Sequence, residues 1–117
     1  MTDIRRIDAG SRMSGAVIYG NRIYTSGMVA GNMVGKSVME QTQDILQQLD
    51  KLLTQAGSDK TRILKANIWL TDMGSFDQMN QAWDAWVVAG KTPARATVEA
   101  KLAAPGYDVE IMVEAVC

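Results

Sequence analysis

Apolar and polar residues alternate near the start of the chain in the manner of β-strands. Residues 17–19 and 23–25 are rich in β-branched and aromatic side chains, and Gly20-Asn21 lies between them. Two such segments around a short turn sequence are typical of a β-hairpin. Residues 4–7 are predicted to form a further short strand, and the glycine-interrupted residues 31–37 a loop.

Two later segments show apolar residues at spacings of three and four, which predict amphipathic helices. The first covers residues 38–56 and stops at Gly57, a residue suited to ending a helix. The second follows Ser75, a fair N-cap, and ends before Pro93. Its apolar stripe contains one amide, that of Asn80.

Strand-like alternation returns at residues 65–71, 94–101 and 109–116. The resulting order of elements predicts one α+β domain over residues 1–117, with two helices on one face of a sheet of five or six strands. The other face then carries large apolar residues such as Trp69 and Met112. A face of this kind predicts a homo-oligomer.

Composition excludes several kinds of chemistry. The chain has no histidine and one cysteine, Cys117, which excludes imidazole-dependent triads, an intramolecular disulfide and a cysteine zinc site. A net charge of −1 without a basic block argues against nucleic-acid binding. The absence of a long apolar run and of a secretory leader predicts no membrane association and a cytoplasmic location. No metal or other cofactor is expected.

Arg95 and Glu114 are the strongest candidates for chemistry. Arg95 follows Pro93 and is predicted on the helix-free face of a rigid strand, where its planar fork of donors suits a small carboxylate. A structural ion pair is the alternative. Glu114 lies in an apolar stretch and needs a partner. A symmetric hairpin closed by residues 102–107 would place it opposite Arg95, whereas insertion of the last strand elsewhere leaves a meeting across a subunit contact.

Several short motifs then stand in a characteristic order. They are Gly20-Asn21 with Ile23-Tyr24-Thr25-Ser26-Gly27, Leu64-Lys65-Ala66 with Leu70-Thr71-Asp72, Phe76 with Asn80, Pro93-Ala94-Arg95 with Val98-Glu99, and Val109-Glu110-Ile111 with Glu114-Ala115. In their order and spacing the chain resembles the RidA/YjgF family of enamine/imine deaminases along nearly its whole length.

The resemblance implies a chorismate-mutase-like fold and a homotrimer whose clefts between subunits bind small 2-imino or 2-oxo acids. It implies that Arg95 grips the substrate carboxylate and that Glu114 positions or activates water, while Ser26, Gly27 and Asn80 lie at or near the cleft. The implied reaction is hydrolysis of 2-imino acids, such as those derived from 2-aminoacrylate, to 2-oxo acids and ammonia.

Three residues depart from the best-known members of that family. Met13 stands roughly where they carry a cleft tyrosine, Thr97 where they often carry cysteine, and Met28 where they carry glutamine. Met13 and Thr97 are therefore expected to line an altered pocket, with a more apolar wall at Met13. The alternative function is non-catalytic binding or sensing of small carboxylates. A ribonuclease role, attached to some relatives, is disfavoured by the neutral charge and the absence of histidine.

Overall fold

A computed structural model describes residues 3–117, so Met1 and Thr2, which belong to the predicted domain 1–117, lie outside the described residues. The strands are β1 (Arg5–Ile7), β2 (Ala16–Tyr19), β3 (Arg22–Thr25), β4 (Met28–Val29), β5 (Ile63–Leu70), β6 (Ala94–Glu99) and β7 (Val109–Val116). The helices are α1 (Val38–Gln55) and α2 (Phe76–Trp86), with 3-10 turns at Lys60–Arg62 and Met73–Ser75.

The strands form one mixed sheet in the order β1-β2-β3-β7-β5-β6, and β4 also pairs with β7. Strands β5 and β6 run parallel, while the other pairs are antiparallel. The structure confirms the predicted α+β architecture with two helices on one face. It adds β4, a two-residue strand too short to show alternation, to the five or six that were predicted.

The hydrophobic core lies between the helices and one face of this sheet. Ile68, Ile111 and Val113 from the central strands and Leu49 and Leu53 from α1 are at most 1% exposed. Their burial follows from the period of two in the strands and the three-to-four spacing in α1. The opposite face, called the open face below, is formed by residues that alternate with the buried ones and includes Val17, Tyr24, Trp69, Val98, Glu110, Met112 and Glu114.

The ends of the two helices are set differently. Ser37 and Glu40 form a capping box, with the Glu40 amide donating to Ser37 Oγ at 3.1 Å, so α1 begins at Val38. The N-cap prediction for Ser75 is only half correct. Ser75 precedes α2, but its hydroxyl donates to the Asp72 carbonyl at 2.6 Å and makes no side-chain cap.

The last strand does not form a hairpin with β6. Strand β7 is inserted between β3 and β5, and β6 forms the edge of the sheet beyond β5. Of the two arrangements left open by the sequence, the hairpin that pairs Arg95 with Glu114 is therefore wrong, because β5 separates their strands, and the insertion of the last strand elsewhere is the one observed. A central position gives the apolar residues of β7 sheet neighbours on both sides, which an edge position would not.

No helix within residues 3–117 is long and apolar enough to cross a membrane. In the same part of the chain, no group of three or more acidic or cysteine side chains is placed to hold a metal ion.

Candidate functional site

Arg95 was predicted on the helix-free face of its strand, and this prediction is wrong: Arg95 lies on the helix-covered face of β6. Its register partner in β5 is Ala66, which is fully buried, so the Arg95 side chain points toward α2. There Nη1 of Arg95 donates a hydrogen bond to Oδ1 of Asn80 at 2.8 Å. The edge position of β6 explains the difference, because a polar side chain there reaches the helix layer without being fully buried.

Helix α2 places two aromatic rings and a thioether next to the Arg95 guanidinium. The Arg95 Cζ atom lies 5.7 Å from the ring centre of Phe76 and 5.3 Å from that of Trp83, and Nη1 is 3.9 Å from Met79 Sδ. Phe76, Met79, Asn80 and Trp83 occupy one stripe of the helix because they are three, four and seven residues apart. Cation–π contacts and one amide thus hold the arginine without neutralising its charge.

The arginine keeps donors free for a ligand. Within residues 3–117, its Nε and Nη2 atoms donate to no protein acceptor. The ion pair found in that part of the chain joins Lys65 and Glu114, so the structural ion pair considered for Arg95 is not formed among residues 3–117. Two residues along β6, the Thr97 hydroxyl oxygen is buried without a hydrogen-bond partner on the same face of the strand. A guanidinium with free donors beside an unpaired hydroxyl suits a small oxygen-bearing anion.

Ser26 and Gly27 occupy an irregular segment between β3 and β4. The register changes here from Tyr24 opposite Glu114 to Met28 opposite Ile111, which leaves one extra residue in the strand. The amide of Val113 donates to the Thr25 hydroxyl at 3.0 Å. The segment is therefore a β-bulge, a device that redirects side chains and backbone groups.

Met13 lies in the loop before β2, at the same end of the sheet as the bulge at Ser26 and Gly27. It is 67% exposed, and its carbonyl accepts a hydrogen bond from the Gly10 amide at 2.9 Å. The loop is tied to the bulge because the Ser26 amide donates to the Gly15 carbonyl at 2.9 Å. Met13 and Ser26 therefore belong to one region of the molecular surface.

Glu114 lies on the open face of β7, in register with Tyr24 and Lys65. Its Oε1 is 3.8 Å from the Lys65 ammonium, in a solvent-accessible pair. Arg95 and Glu114 thus point to opposite faces of the sheet. Ser26 and Gly27 follow β3, whereas Arg95 lies on β6. These two strands are three strand spacings apart, roughly 14 Å. One chain therefore does not assemble these residues into one site.

A residue that sequence reasoning did not single out lies against the bulge. A Cβ atom placed on Gly27 would come within 2.1 Å of Glu110 Oε2, so the carboxyl group fills the space beside the glycine. Glu110 entered the sequence analysis only as part of a motif. Its alternation with Met112 and Glu114 along β7 places all three on the open face, but the bulge that brings Gly27 to it has no local sequence signal.

A distinct surface groove of about 600 Å³ lies between Asp8 and the C-terminal half of α1. It is lined by Asp8, Met28, Gln48, Asp50, Lys51, Leu52, Thr54 and Gln55, and none of the predicted site residues contributes to it. Met28, which stands where the best-known family members carry glutamine, lies in this groove. Its Sδ accepts a hydrogen bond from the Ser26 hydroxyl at 3.5 Å.

Nearly the whole chain is similar to proteins of one known family. The family described as Endoribonuclease L-PSP matches residues 3–117. The chain belongs to this family, RidA/YjgF. A RutC family protein of Haemophilus influenzae is 46% identical over 114 residues, covering 97% of this chain and 98% of the relative. A solved YjgF family member from Neisseria meningitidis is 51% identical, with a TM-score of 0.94, covering 97% of this chain and 94% of that one.

A more distant relative bears the name of an activity. It is the 2-iminobutanoate/2-iminopropanoate deaminase of Rattus norvegicus, 31% identical over 103 residues, covering 84% of this chain and 74% of the relative. The family therefore includes imine deaminases, and this chain has the family fold.

Proposed function

We propose that this RidA/YjgF protein is an enamine/imine deaminase that hydrolyses small 2-imino acids to 2-oxo acids and ammonia. The observation that carries the proposal is Arg95, which is held by Asn80 and two aromatic rings while its Nε and Nη2 atoms donate to no acceptor among the described residues. The similarity of this chain to the rat 2-iminobutanoate/2-iminopropanoate deaminase supports hydrolysis of 2-imino acids as the reaction class.

Arg95 binds the substrate carboxylate through the free edge of its guanidinium. Two parallel N–H donors match the two carboxylate oxygens, so the acid is fixed in orientation as well as in place. The adjacent imine carbon is already electrophilic and needs a positioned water and a proton acceptor. The Thr97 hydroxyl, which has no partner within residues 3–117, lies on the same face and can bind a polar atom of the substrate.

A second copy of the chain completes the site. The described residues of one chain hold Arg95 and the bulge on different strands and place the acids of β7 on the other face. The open face also exposes large apolar side chains, with Tyr24 43% and Val98 50% accessible. We infer that it packs against neighbouring copies, as a homotrimer, so that Ser26, Gly27, Met13 and an acid of one subunit face Arg95 of the next. The acids of β7 on the open face are Glu110 and Glu114, and the family resemblance by itself implies Glu114.

The test is release of 2-oxo acid or ammonia from imines made in place by an amino acid oxidase. Arg95→Lys keeps the charge but removes the planar fork, so kcat/KM should fall about 100-fold, the equivalent of two charge-assisted hydrogen bonds. Lys91→Ala, which removes an exposed cation from the loop before β6, should behave as wild type. Both variants should match the wild type in circular dichroism and elution volume.

The same assay distinguishes the binding alternative. If the wild type does not accelerate imine hydrolysis but binds 2-oxobutanoate in an Arg95-dependent manner by calorimetry, the protein is a carboxylate-binding member of the family. Turnover that Arg95→Lys leaves unchanged would contradict the assigned role of the arginine.

A further inference from the structure

A side chain at position 27 would clash with the carboxyl group of Glu110 in its present position. A Cβ at position 27 would lie 2.1 Å from Oε2, 2.9 Å from Cδ and 3.3 Å from Cγ of Glu110. Real Cβ atoms do not approach heavy atoms below about 3.0 Å. The glycine therefore provides room for the carboxyl group directly beside the backbone of the bulge.

The Glu110 carboxylate has no protein partner within residues 3–117, where it forms neither a hydrogen bond nor an ion pair. It is nevertheless half-buried, between the register partners Val29 and Trp69. Among the described residues, the Glu110 oxygens are not buried atoms that lack a partner, so they remain accessible beside the bulge and both keep their acceptor capacity. The carboxylate is therefore free to bind a water or a ligand.

Glu114 differs from Glu110 both in having a protein partner and in its position relative to the bulge. It is paired with Lys65, and it stands beside Tyr24, before the bulge. Four residues along an extended strand separate it from Glu110, a distance of roughly 13 Å. The two acids therefore do not serve the same small substrate, and Glu110 is the one that lies against Gly27.

We propose that Glu110, and not Glu114, is the residue that accepts the proton of the attacking water; the proposal rests on the deaminase function proposed above. The water oxygen bonds to C2 of the imine, the C=N π pair moves to nitrogen, and Glu110 takes one water proton and delivers it to that nitrogen. In the resulting 2-amino-2-hydroxy acid the hydroxyl proton is transferred to the amine, C=O re-forms and the C–N bond breaks. The products are the 2-oxo acid and ammonia, with no other reactant.

The substitutions Glu110→Gln and Glu114→Gln test this assignment as a matched pair. Each keeps the shape of the side chain and removes the ability to accept a proton. We expect Glu110→Gln to lower kcat at least about 100-fold with KM within threefold, since general-base catalysis contributes about 10²–10⁴-fold. Glu114→Gln should retain more than a third of the wild-type kcat.

The outcomes separate this proposal from the proposed function. If Arg95→Lys abolishes turnover while Glu110→Gln keeps more than a third of kcat, the deaminase function stands and the role of Glu110 is wrong. If the wild type does not accelerate hydrolysis of any imine, both fall. Glu110→Asp, which keeps the carboxylate but shortens its reach, should recover part of the kcat lost in Glu110→Gln, and equal losses in the two variants would indicate a packing role only.

Discussion

Asn80 orients Arg95: Oδ1 of the amide accepts a hydrogen bond from Nη1 of the guanidinium at 2.8 Å. The acceptor is neutral, so it fixes the plane of the guanidinium without competing with a substrate carboxylate for its charge. An aspartate at the same place would make a charge-assisted pair with Arg95 instead. A neutral amide at position 80 therefore leaves the positive charge of Arg95 available for an anionic ligand.

Asn80→Asp should weaken substrate binding without unfolding the protein. The new carboxylate would pair with Arg95, and KM for a 2-imino acid should rise at least about tenfold, which corresponds to one hydrogen bond to a charged group. Gln81→Glu adds the same charge at the next, exposed position and should leave KM unchanged. An unchanged KM in Asn80→Asp, measured by the coupled oxidase assay, would show that Arg95 does not hold the carboxylate.

Thr97→Val separates a structural from a binding role for the threonine. Its hydroxyl is buried and has no partner in the described part of the chain, so replacing it by a methyl group of similar size should leave the free energy of unfolding equal or raise it by up to about 1 kcal/mol. Calorimetric affinity for 2-oxobutanoate should nevertheless fall about fivefold, because a hydrogen bond to the ligand is lost. Thr92→Val, at an exposed position before β6, should change neither quantity. Destabilisation with unchanged affinity would contradict the binding role.

Gly27→Ala should displace the Glu110 carboxylate. The added methyl group would lie 2.1 Å from Oε2, so the glutamate side chain must move, and kcat should fall by about tenfold or more while the far-ultraviolet spectrum is retained. Gly31→Ala is the matched control, because its nearest neighbour would be the Tyr107 hydroxyl at an ordinary 3.9 Å. Equal activity of the two variants would show that the position of Glu110 is unimportant.

Local signals in the sequence were sufficient for most of the fold. The hairpin at Gly20-Asn21, the two helices and the buried alternation of Ala66, Ile68 and Leu70 in β5 all match the structure. Each depends on neighbours within one or two turns or on a period of two, which one sequence reveals. Asn80 could also be singled out, since it is the one amide in an apolar stripe.

Long-range features were not accessible in the same way. Strand β6 alternates small apolar residues with polar ones, so its pattern assigned Arg95 to the open face. The rings and the amide of α2 instead accept it on the helix side. The central position of β7 and the approach of Gly27 to Glu110 depend on strand order and on a bulge, and neither is encoded by local period.

The open face provides the last prediction. Val98 lies on edge strand β6 in register with Trp69 and is 50% exposed, so packing against another copy would bury it. Val98→Lys places an unpaired charge in that contact, and the cost of burying it should weaken association at least about 100-fold. Val88→Lys is a matched control, because Val88 is 39% exposed and lies outside the sheet, after α2.

Sedimentation velocity should show the Val98→Lys variant as monomers at concentrations where the wild type and Val88→Lys are oligomers. Turnover should fall with the oligomeric fraction, since Arg95 of one subunit then lacks the bulge and the acid of the next. Raising the concentration should restore both together, as mass action requires. A monomeric wild type, or full activity in a monomeric variant, would show that one chain forms the site alone.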